Sequence, residues 1–327
     1  MPAKKPIPPC TSDTVLPPVA GHAYFEDCAN HPFRSQSQKF QLVNAWWLAE
    51  ASLLAYAEAA LARSRFEAAG FTVSGPQPFA GAAPGASTQC YVAHSDQMVI
   101  VAFRGTQTLK AVDGKPAFEI IEESVADIYT DMKFRLVHSG QGGFIHKGFG
   151  EALQEVWPRL EAYLKGLRAE RPQRTFWFTG HSLGGALATL AADRFGQVAG
   201  LYTFGSPRVG DTAFHDDFSI PAYRFVNNQD IVPRVPPFGF YDNGITLGEY
   251  RHVGQPKFID ADGHIHDSTG RWEREKAAFR GMFGTGFPPR HLRTNWAWGL
   301  SPDFFNDHGP LYYALKVWNN YIQDRNG

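Results

Sequence analysis

The chain has 327 residues, of which 43% are hydrophobic and 19% charged, and its formal net charge is −1. This length and composition are typical of a globular protein with a large buried core. A near-neutral charge without a long basic run argues against nucleic-acid binding, which needs clustered lysine and arginine to neutralise phosphates. We expect no integral membrane span, because no segment approaches the roughly 20 apolar residues of a membrane-crossing helix.

Residues 1–40 form an irregular, proline-rich arm without the apolar run of a cleaved secretion signal. We therefore expect the protein to stay in the cytoplasm, with export lacking a cleaved signal as the alternative. The three cysteines, Cys10, Cys28 and Cys90, are odd in number and widely spaced. This pattern indicates neither a zinc site nor a disulfide framework, and it leaves their oxidation state open. Residues 41–327 show no repeat or linker and are expected to form one domain.

Helical and strand patterns alternate along this domain. Apolar residues at helical spacing predict helices over 44–70, 146–170, 182–195 and 310–324. Apolar runs and turn residues predict two strands within 88–106, a strand at 174–180, strands with loops at their C-terminal ends at 200–210 and 222–230, and a hairpin over 249–268. Strands that alternate with helices indicate an α/β fold with a mostly parallel central sheet flanked by helices.

One motif in this pattern indicates catalysis. The segment GHSLG at 180–184 fits G-x-S-x-G and stands directly between a predicted strand and a predicted helix. In that context Ser182 would project from a sharp turn as a nucleophile, and the small Gly180 and Gly184 would avoid a collision. The backbone N–H of Leu183, at the helix N-terminus, would supply one half of an oxyanion hole. The alternative is an ordinary glycine-rich turn.

A serine nucleophile needs a histidine base and an orienting carboxylate, which follow the serine in the order acid, then histidine. Asp230 is the best acid, because it follows a predicted strand and precedes a proline-stiffened loop. Its alternative role is a turn residue that bonds its own backbone. Asp211, Asp216 and Asp217 follow the previous strand but fall near or within a predicted helix.

Six histidines lie beyond the serine: His215, His252, His264, His266, His291 and His308. His308, at the start of the final helix after a long loop, is the best base, and His291 is the reserve. His264 and His266 fall in the predicted hairpin, where a polar turn is favoured over a metal site. Asp307 is expected to be solvent-exposed or to cap the helix.

Several segments together resemble the class 3 lipases, the fungal triacylglycerol lipase-like branch of the α/β-hydrolases, which also includes feruloyl esterases and some phospholipases. The matching segments, in family order, are NAWWLAEASLLAY, VIVAFRGT, DIYTDMKF, IHKGF, TGHSLGGALATLAA, TFGSPRVGD, NNQDIVPRVPP, YRHVGQP and DHGPLYY. They begin near residue 44 and extend towards the C-terminus. The chain departs from the fungal enzymes in lacking their cysteine pattern and signal, and in its longer segments after FRGT and before DHG.

The resemblance implies an α/β-hydrolase fold with Ser182 as nucleophile, Asp230 as acid and His308 as base. It also implies that Thr106, in FRGT, contributes the second oxyanion donor through its backbone N–H. His146, in IHKGF, matches a family histidine that looks structural. No metal or organic cofactor is implied.

The resemblance also places a lid helix at residues 107–126, where an apolar stripe fits either a mobile lid or a helix packed permanently on the core. A second apolar surface combines residues 282–306 with Phe238, Phe240 and Tyr241, and either lines an acyl-chain pocket or covers the sheet edge. The individual substrate-binding residues stay unassigned.

The predicted function is hydrolysis of lipid esters, as in a triacylglycerol lipase, through a Ser–His–Asp triad and an acyl-enzyme. The expected partner is a lipid or other ester substrate, at an oil–water interface in the lipase case. One alternative is a short-chain or aryl esterase or a phospholipase with the same triad. A second alternative, of another class, is a non-catalytic hydrolase fold that only binds. Acyl-chain preference and oligomeric state are left open.

Overall fold

A computed structural model describes residues 3–73, 79–81, 88–106, 136–140, 142–236, 239–242, 245–267 and 306–326. The strands of the described residues are β1 (Thr72–Val73), β2 (Phe79–Ala80), β3 (Gln89–His94), β4 (Met98–Phe103), β5 (Leu136–His138), β6 (Phe144–His146), β7 (Thr175–His181), β8 (Gly200–Phe204), β9 (Gly210–Asp211), β10 (Ala222–Asn227), β11 (Gly239–Asp242), β12 (Ile245–Arg251), β13 (Gln255–Ile259) and β14 (Ile265–His266). The helices are α1 (Ser12–Val15), α2 (Leu42–Leu54), α3 (Ala59–Ala68), α4 (Lys147–Gln154), α5 (Trp157–Glu170), α6 (Leu183–Phe195), α7 (Thr212–Asp217) and α8 (Pro310–Asn326).

Within the described residues, the central sheet has the strand order β1-β3-β4-β7-β8-β10-β13-β14, with β2 paired to β3. The strands β4, β7, β8, β10 and β13 pair in parallel, and the flanking strands pair antiparallel. The expected mostly parallel sheet is therefore confirmed. Because parallel strands end at one edge, the segments after β4, β7, β8 and β10 meet there. A second, antiparallel sheet follows the order β11-β12-β9-β6-β5.

Helices cover both faces of the central sheet, as the alternating pattern predicts. On one face, α2 packs on β4, β7 and β8, and α8 packs on α2. On the other face, α6 packs on β4, β7 and β8, and α4 packs on α6. The largest fully buried side chains are aromatic, which explains where much of the 14% aromatic content lies.

Two predicted helices are each divided in two. The predicted helix over 44–70 breaks between α2 and α3, where the carbonyl of Ala57 accepts a hydrogen bond from the Tyr91 hydroxyl (2.9 Å) instead of continuing the helix. The predicted helix over 146–170 breaks between α4 and α5, where Pro158 stands in the first turn of α5. Proline has no backbone N–H to donate, so it starts a helix more readily than it continues one.

Two predicted strand segments also change sheet. The segment 200–210 leaves the central sheet after Phe204 and then joins the second sheet as β9. The segment 249–268 contains the end of β12, which pairs with β9, and only its β13–β14 part forms the expected hairpin. The segment 222–230 is a strand as far as Asn227, and the expected loop at its C-terminal end contains Asp230.

The N-terminal arm packs against the domain. Val15, Leu16, Tyr24 and Phe25 are buried, and Tyr24 and Phe25 belong to the core that contains α2 and α8. The boundary at residue 40 stays a prediction. Among the described residues, no helix has the length and apolar character needed to cross a membrane.

Candidate active site

Ser182 stands in the turn between β7 and α6, in a backbone conformation with φ of 58° and ψ of −132°. A residue other than glycine rarely adopts a positive φ, so the backbone of this turn is strained. Such strain is frequent at functional positions. The turn is held because the Ser182 N–H donates to the carbonyl of Phe204 (2.9 Å). A Cβ on Gly180 would overlap the backbone of Gly184, and one on Gly184 would overlap the carbonyl of Phe103. The two motif glycines are therefore required by close backbone approach.

Asp230 and His308 are in direct contact at the same edge of the sheet. The Nδ1 of His308 lies 3.0 Å from Oδ1 and 2.9 Å from Oδ2 of Asp230. Both residues are buried, with exposures of 0% and 3%. Because a carboxylate only accepts hydrogen bonds, Nδ1 carries the proton and the Nε2 of His308 is left with an acceptor lone pair. This is the tautomer that a general base requires.

The carboxylate of Asp230 has two further donors. The Val232 N–H donates to Oδ1 (2.9 Å), and the Tyr313 hydroxyl donates to Oδ2 (2.6 Å). Burial, followed by the charge of Asp230, raises the pKa of Tyr313 well above its ordinary value, so this phenol stays a donor. The same phenolic oxygen accepts from the Asn227 N–H (3.0 Å). Tyr313 was not predicted, because only its position on the helical face of α8 marks it in the sequence.

A second histidine links the serine turn to the base. His181 precedes Ser182, and its Nε2–H donates to the backbone carbonyl of His308 (2.7 Å). Burial, followed by the neighbouring His308, lowers the pKa of His181 well below its ordinary value, so the ring is neutral. Its Nδ1 therefore accepts, and the Tyr56 hydroxyl donates to it (2.9 Å). This chain of contacts brings the serine turn and the base together.

The two residues expected to bind an oxyanion flank this turn. Leu183 is the first residue of α6. Thr106 lies three residues beyond the end of β4, and its Oγ1 is buried without a hydrogen-bond partner in the described part of the chain. A Cβ on Gly105 would overlap the Tyr56 hydroxyl and approach the carbonyl of His181 to 2.8 Å. The FRGT segment thus lies directly beside the serine turn.

Other expected residues lie apart from this cluster. His264 and His266 follow the turn of the β13–β14 hairpin, where the buried Asp260 accepts from the His264 N–H (2.9 Å) and pairs with the Nε2 of His266 (2.7 Å). Ligand atoms of Asp260, Asp262 and His264 lie within 4.8 Å of one another, but the hydrogen bonds are those of the expected polar turn. His146 is fully buried against Phe149, with ring centroids 4.4 Å apart.

Three predictions fall outside the described residues: the lid at 107–126, the reserve base His291 and most of the apolar surface at 282–306. Phe238 is also outside, and for Phe240 and Tyr241 only the backbone is described. All of these stay predictions.

The expectation for Asp307 is wrong. It is neither solvent-exposed nor a helix cap; its carboxylate accepts hydrogen bonds from Asn228 Nδ2 (2.9 Å) and the Gln229 N–H (3.0 Å).

Comparison with known proteins finds similar sequences and similar folds. The family profile described as lipase (class 3) matches residues 100–240, a stretch that contains Ser182 and Asp230. This part of the chain is thus similar to the class 3 lipases. The chain also shares its fold with a solved triacylglycerol lipase whose catalytic centre is described as a serine protease triad. The TM-score is 0.53 with 24% identity, over 68% of this chain and 81% of that one. The expected α/β-hydrolase fold is confirmed.

Two relatives show how far the likeness extends along the chain. A secreted mono- and diacylglycerol lipase 1 of Fusarium solani is 38% identical over 122 residues, covering 36% of this chain and 34% of the relative. A lipase of Rhizomucor miehei is 34% identical over 164 residues, covering 46% and 41%. The chain thus matches about a third to two-fifths of the length of these two relatives.

The expected cytoplasmic location is contradicted. The Fusarium solani relative is named as secreted. So is a mono- and diacylglycerol lipase A of Penicillium cyclopium, which is 29% identical over 62% of this chain and 62% of its own length. These relatives point to an extracellular location.

Proposed function

We propose that this protein is a class 3 lipase that hydrolyses carboxylic esters of lipids, with Ser182 as nucleophile, His308 as general base and Asp230 as the orienting acid. The observation that carries the proposal is the buried contact between Asp230 and the Nδ1 of His308, one hydrogen bond away from the strained turn of Ser182. A lone glycine-rich turn would need neither this pair nor the backbone strain.

The reaction would proceed through an acyl-enzyme. His308 accepts the hydroxyl proton of Ser182 at Nε2 while the serine oxygen attacks the ester carbonyl. Asp230 stabilises the imidazolium that forms, and the Val232 N–H and the Tyr313 hydroxyl hold its carboxylate in place. The N–H groups of Thr106 and Leu183 would bind the oxyanion. His308 then returns the proton to the leaving alcohol, and water releases the acid by the same route.

Lipid esters are the proposed substrates because of the family and its relatives. The Fusarium solani relative is named a mono- and diacylglycerol lipase, and the structural neighbour is a triacylglycerol lipase. The family match includes the segment 107–126, where the lid is predicted. Binding of the lipid at an oil–water interface belongs to the same proposal.

The experiment is a comparison of hydrolysis rates against acyl-chain length. Esters from acetate to oleate, and an emulsion of triolein, are offered to the wild type and to Ser182→Ala. We expect the wild type to hydrolyse long-chain esters and the emulsion, and Ser182→Ala to be slower by about 10⁵-fold or more. A control variant, Ser139→Ala, changes a serine in the β5–β6 turn of the second sheet and should keep full activity.

Each outcome bears on one part of the proposal. Activity confined to acetate, butyrate or aryl esters would keep the triad and overturn the lipid substrate. Turnover of a phospholipid in preference to triolein would replace the substrate class. Turnover that Ser182→Ala leaves unchanged would overturn the nucleophile, and absence of turnover on every ester would favour the binding-only alternative.

A further inference from the structure

Three consecutive residues of the loop before Asp230 are bound to one aspartate. The Oδ2 of Asp307 accepts hydrogen bonds from the Asn228 Nδ2 (2.9 Å) and from the Gln229 N–H (3.0 Å). The Asn227 Nδ2 donates to the carbonyl of Asp307 (2.8 Å) and, at 3.4 Å, to its Oδ1. We call residues 227–230 the acid loop. Every residue of this loop that precedes the proposed acid thus donates to Asp307.

The acid loop needs such a partner because its backbone is strained. Asn228 has a φ of 38°, in the left-handed region that costs an ordinary residue about 1–2 kcal/mol. Asparagine tolerates this region better than most residues, and its own N–H donates to the carbonyl of Ile259 (2.7 Å). Among the described residues, the side chain of Asn228 donates its hydrogen bond to Asp307. Removal of that carboxylate would leave the strained turn with fewer restraints.

A hydrogen bond from Lys316 connects the acid loop to the final helix, α8. Lys316 of α8 donates from its Nζ to the Oδ1 of Asn227 (2.7 Å), and Asn227 is fully buried. This bond orients the amide so that the Nδ2 of Asn227 faces Asp307. Hydrogen bonds between charged and amide groups therefore join α8, the acid loop and the segment 306–309, in addition to apolar packing.

We propose that Asp307 is a positioning residue that fixes the separation of Asp230 and His308. The inference rests on the proposed function, since it assigns a role within the same site. Asp307 immediately precedes His308, and its donors immediately precede Asp230. We call the hydrogen bonds between Asp307 and the acid loop the clamp. The clamp therefore acts next to each member of the acid–base pair. A misplacement of about 1 Å between reacting groups can cost about 100-fold in rate.

The test compares Asp307→Ala with Asp307→Asn and with a matched control. The control is Asp211→Ala, because Asp211 also accepts two backbone N–H bonds, from Phe144 (3.0 Å) and Phe214 (2.8 Å), but lies in the second sheet. For each purified full chain we would measure kcat and KM on one ester, the rate of Ser182 labelling by a phosphonate, Tm, and deuterium uptake of the peptide that contains residues 227–235.

We expect Asp307→Ala to lower kcat and the labelling rate by about 10- to 100-fold with KM within about twofold. Deuterium uptake of the acid loop should rise. Asp307→Asn keeps one acceptor oxygen and should recover activity to within about threefold of the wild type. Asp211→Ala should lower Tm and leave kcat unchanged.

Asp307→Ala with wild-type kcat would overturn the positioning role, as would a loss of activity in Asp211→Ala as large as that in Asp307→Ala. A wild type whose Ser182 is not labelled would contradict the proposed function itself. In that case the rise in deuterium uptake of Asp307→Ala would still decide whether the clamp exists.

Discussion

Replacing Tyr313 with phenylalanine removes one oxygen and breaks two buried hydrogen bonds. The first is the 2.6 Å bond to the carboxylate of Asp230, and the second is the bond from the Asn227 N–H. All three residues are buried. The perturbation therefore takes away a charge-assisted bond and leaves a backbone donor without its acceptor, while the ring and its packing are kept.

The expected change in the free energy of unfolding follows from the loss of these two hydrogen bonds. A hydrogen bond to a charged group contributes about 1.5–3 kcal/mol, and a buried donor left unpaired costs about 1–3 kcal/mol. We expect the free energy of unfolding of Tyr313→Phe to fall by about 3 kcal/mol. The effect on kcat should be smaller, about tenfold, because the Val232 N–H and His308 still orient the carboxylate of Asp230.

The assay is urea-induced unfolding of the wild type, Tyr313→Phe and a control, Tyr312→Phe, together with kcat on one ester. The Tyr312 hydroxyl bonds to neutral groups of the N-terminal arm, which include Thr14 Oγ1 (3.0 Å), the carbonyl of Pro9 (3.3 Å) and the Cys10 side chain. Its loss should cost about 1 kcal/mol and leave kcat unchanged. A loss below about 0.5 kcal/mol in Tyr313→Phe, or equal losses in both variants, would refute the reasoning.

Three further predictions test the surroundings of the site. Gly205→Ala should lower kcat by about tenfold or more in a folded protein. Gly205 has a φ of 59°, and an added Cβ would approach Asp230 and His308 to 2.9–3.0 Å. Unchanged kcat and KM would contradict this prediction. Tyr56→Phe should reduce the free energy of unfolding by about 1–3 kcal/mol in denaturant titrations, because it leaves the Nδ1 of His181 unpaired; no change would show that this nitrogen has another donor. Burial lowers the pKa of His146 to about 4. As pH falls, His146 is therefore protonated in the unfolded chain before it is protonated in the folded protein. The free energy of unfolding should decrease as pH falls from about 6.5 to 4. Stability measured across this range should fall less steeply in His146→Gln, and an unchanged slope would exclude His146 as the titrating group.

Local patterns predicted the elements of the site that depend on neighbouring residues. The alternation of strands and helices predicted the parallel sheet, and the glycines around Ser182 predicted its turn. The order of Asp230 and His308 along the chain predicted a pair that the structure brings into contact. These features depend on short segments and on the common edge at which parallel strands end.

The contacts that cross the fold were not predictable in the same way. Tyr313 and Asp307 lie 83 and 78 residues from their partners in the acid loop, and no local pattern relates them. Asp307 was interpreted as exposed because it stands beside His308, and adjacent side chains rarely point in the same direction. In the structure its carboxylate accepts hydrogen bonds from the acid loop.

The central claim is that Ser182 is the nucleophile of a triad with Asp230 and His308. The most direct test is labelling of the full chain with a long-chain alkyl phosphonate, followed by mapping of the modified peptide by mass spectrometry. The account predicts one adduct, on Ser182, that is lost in Ser182→Ala and forms far more slowly in His308→Ala and Asp230→Ala. An adduct on another residue, or labelling of Ser182 at the same rate without His308, would contradict it.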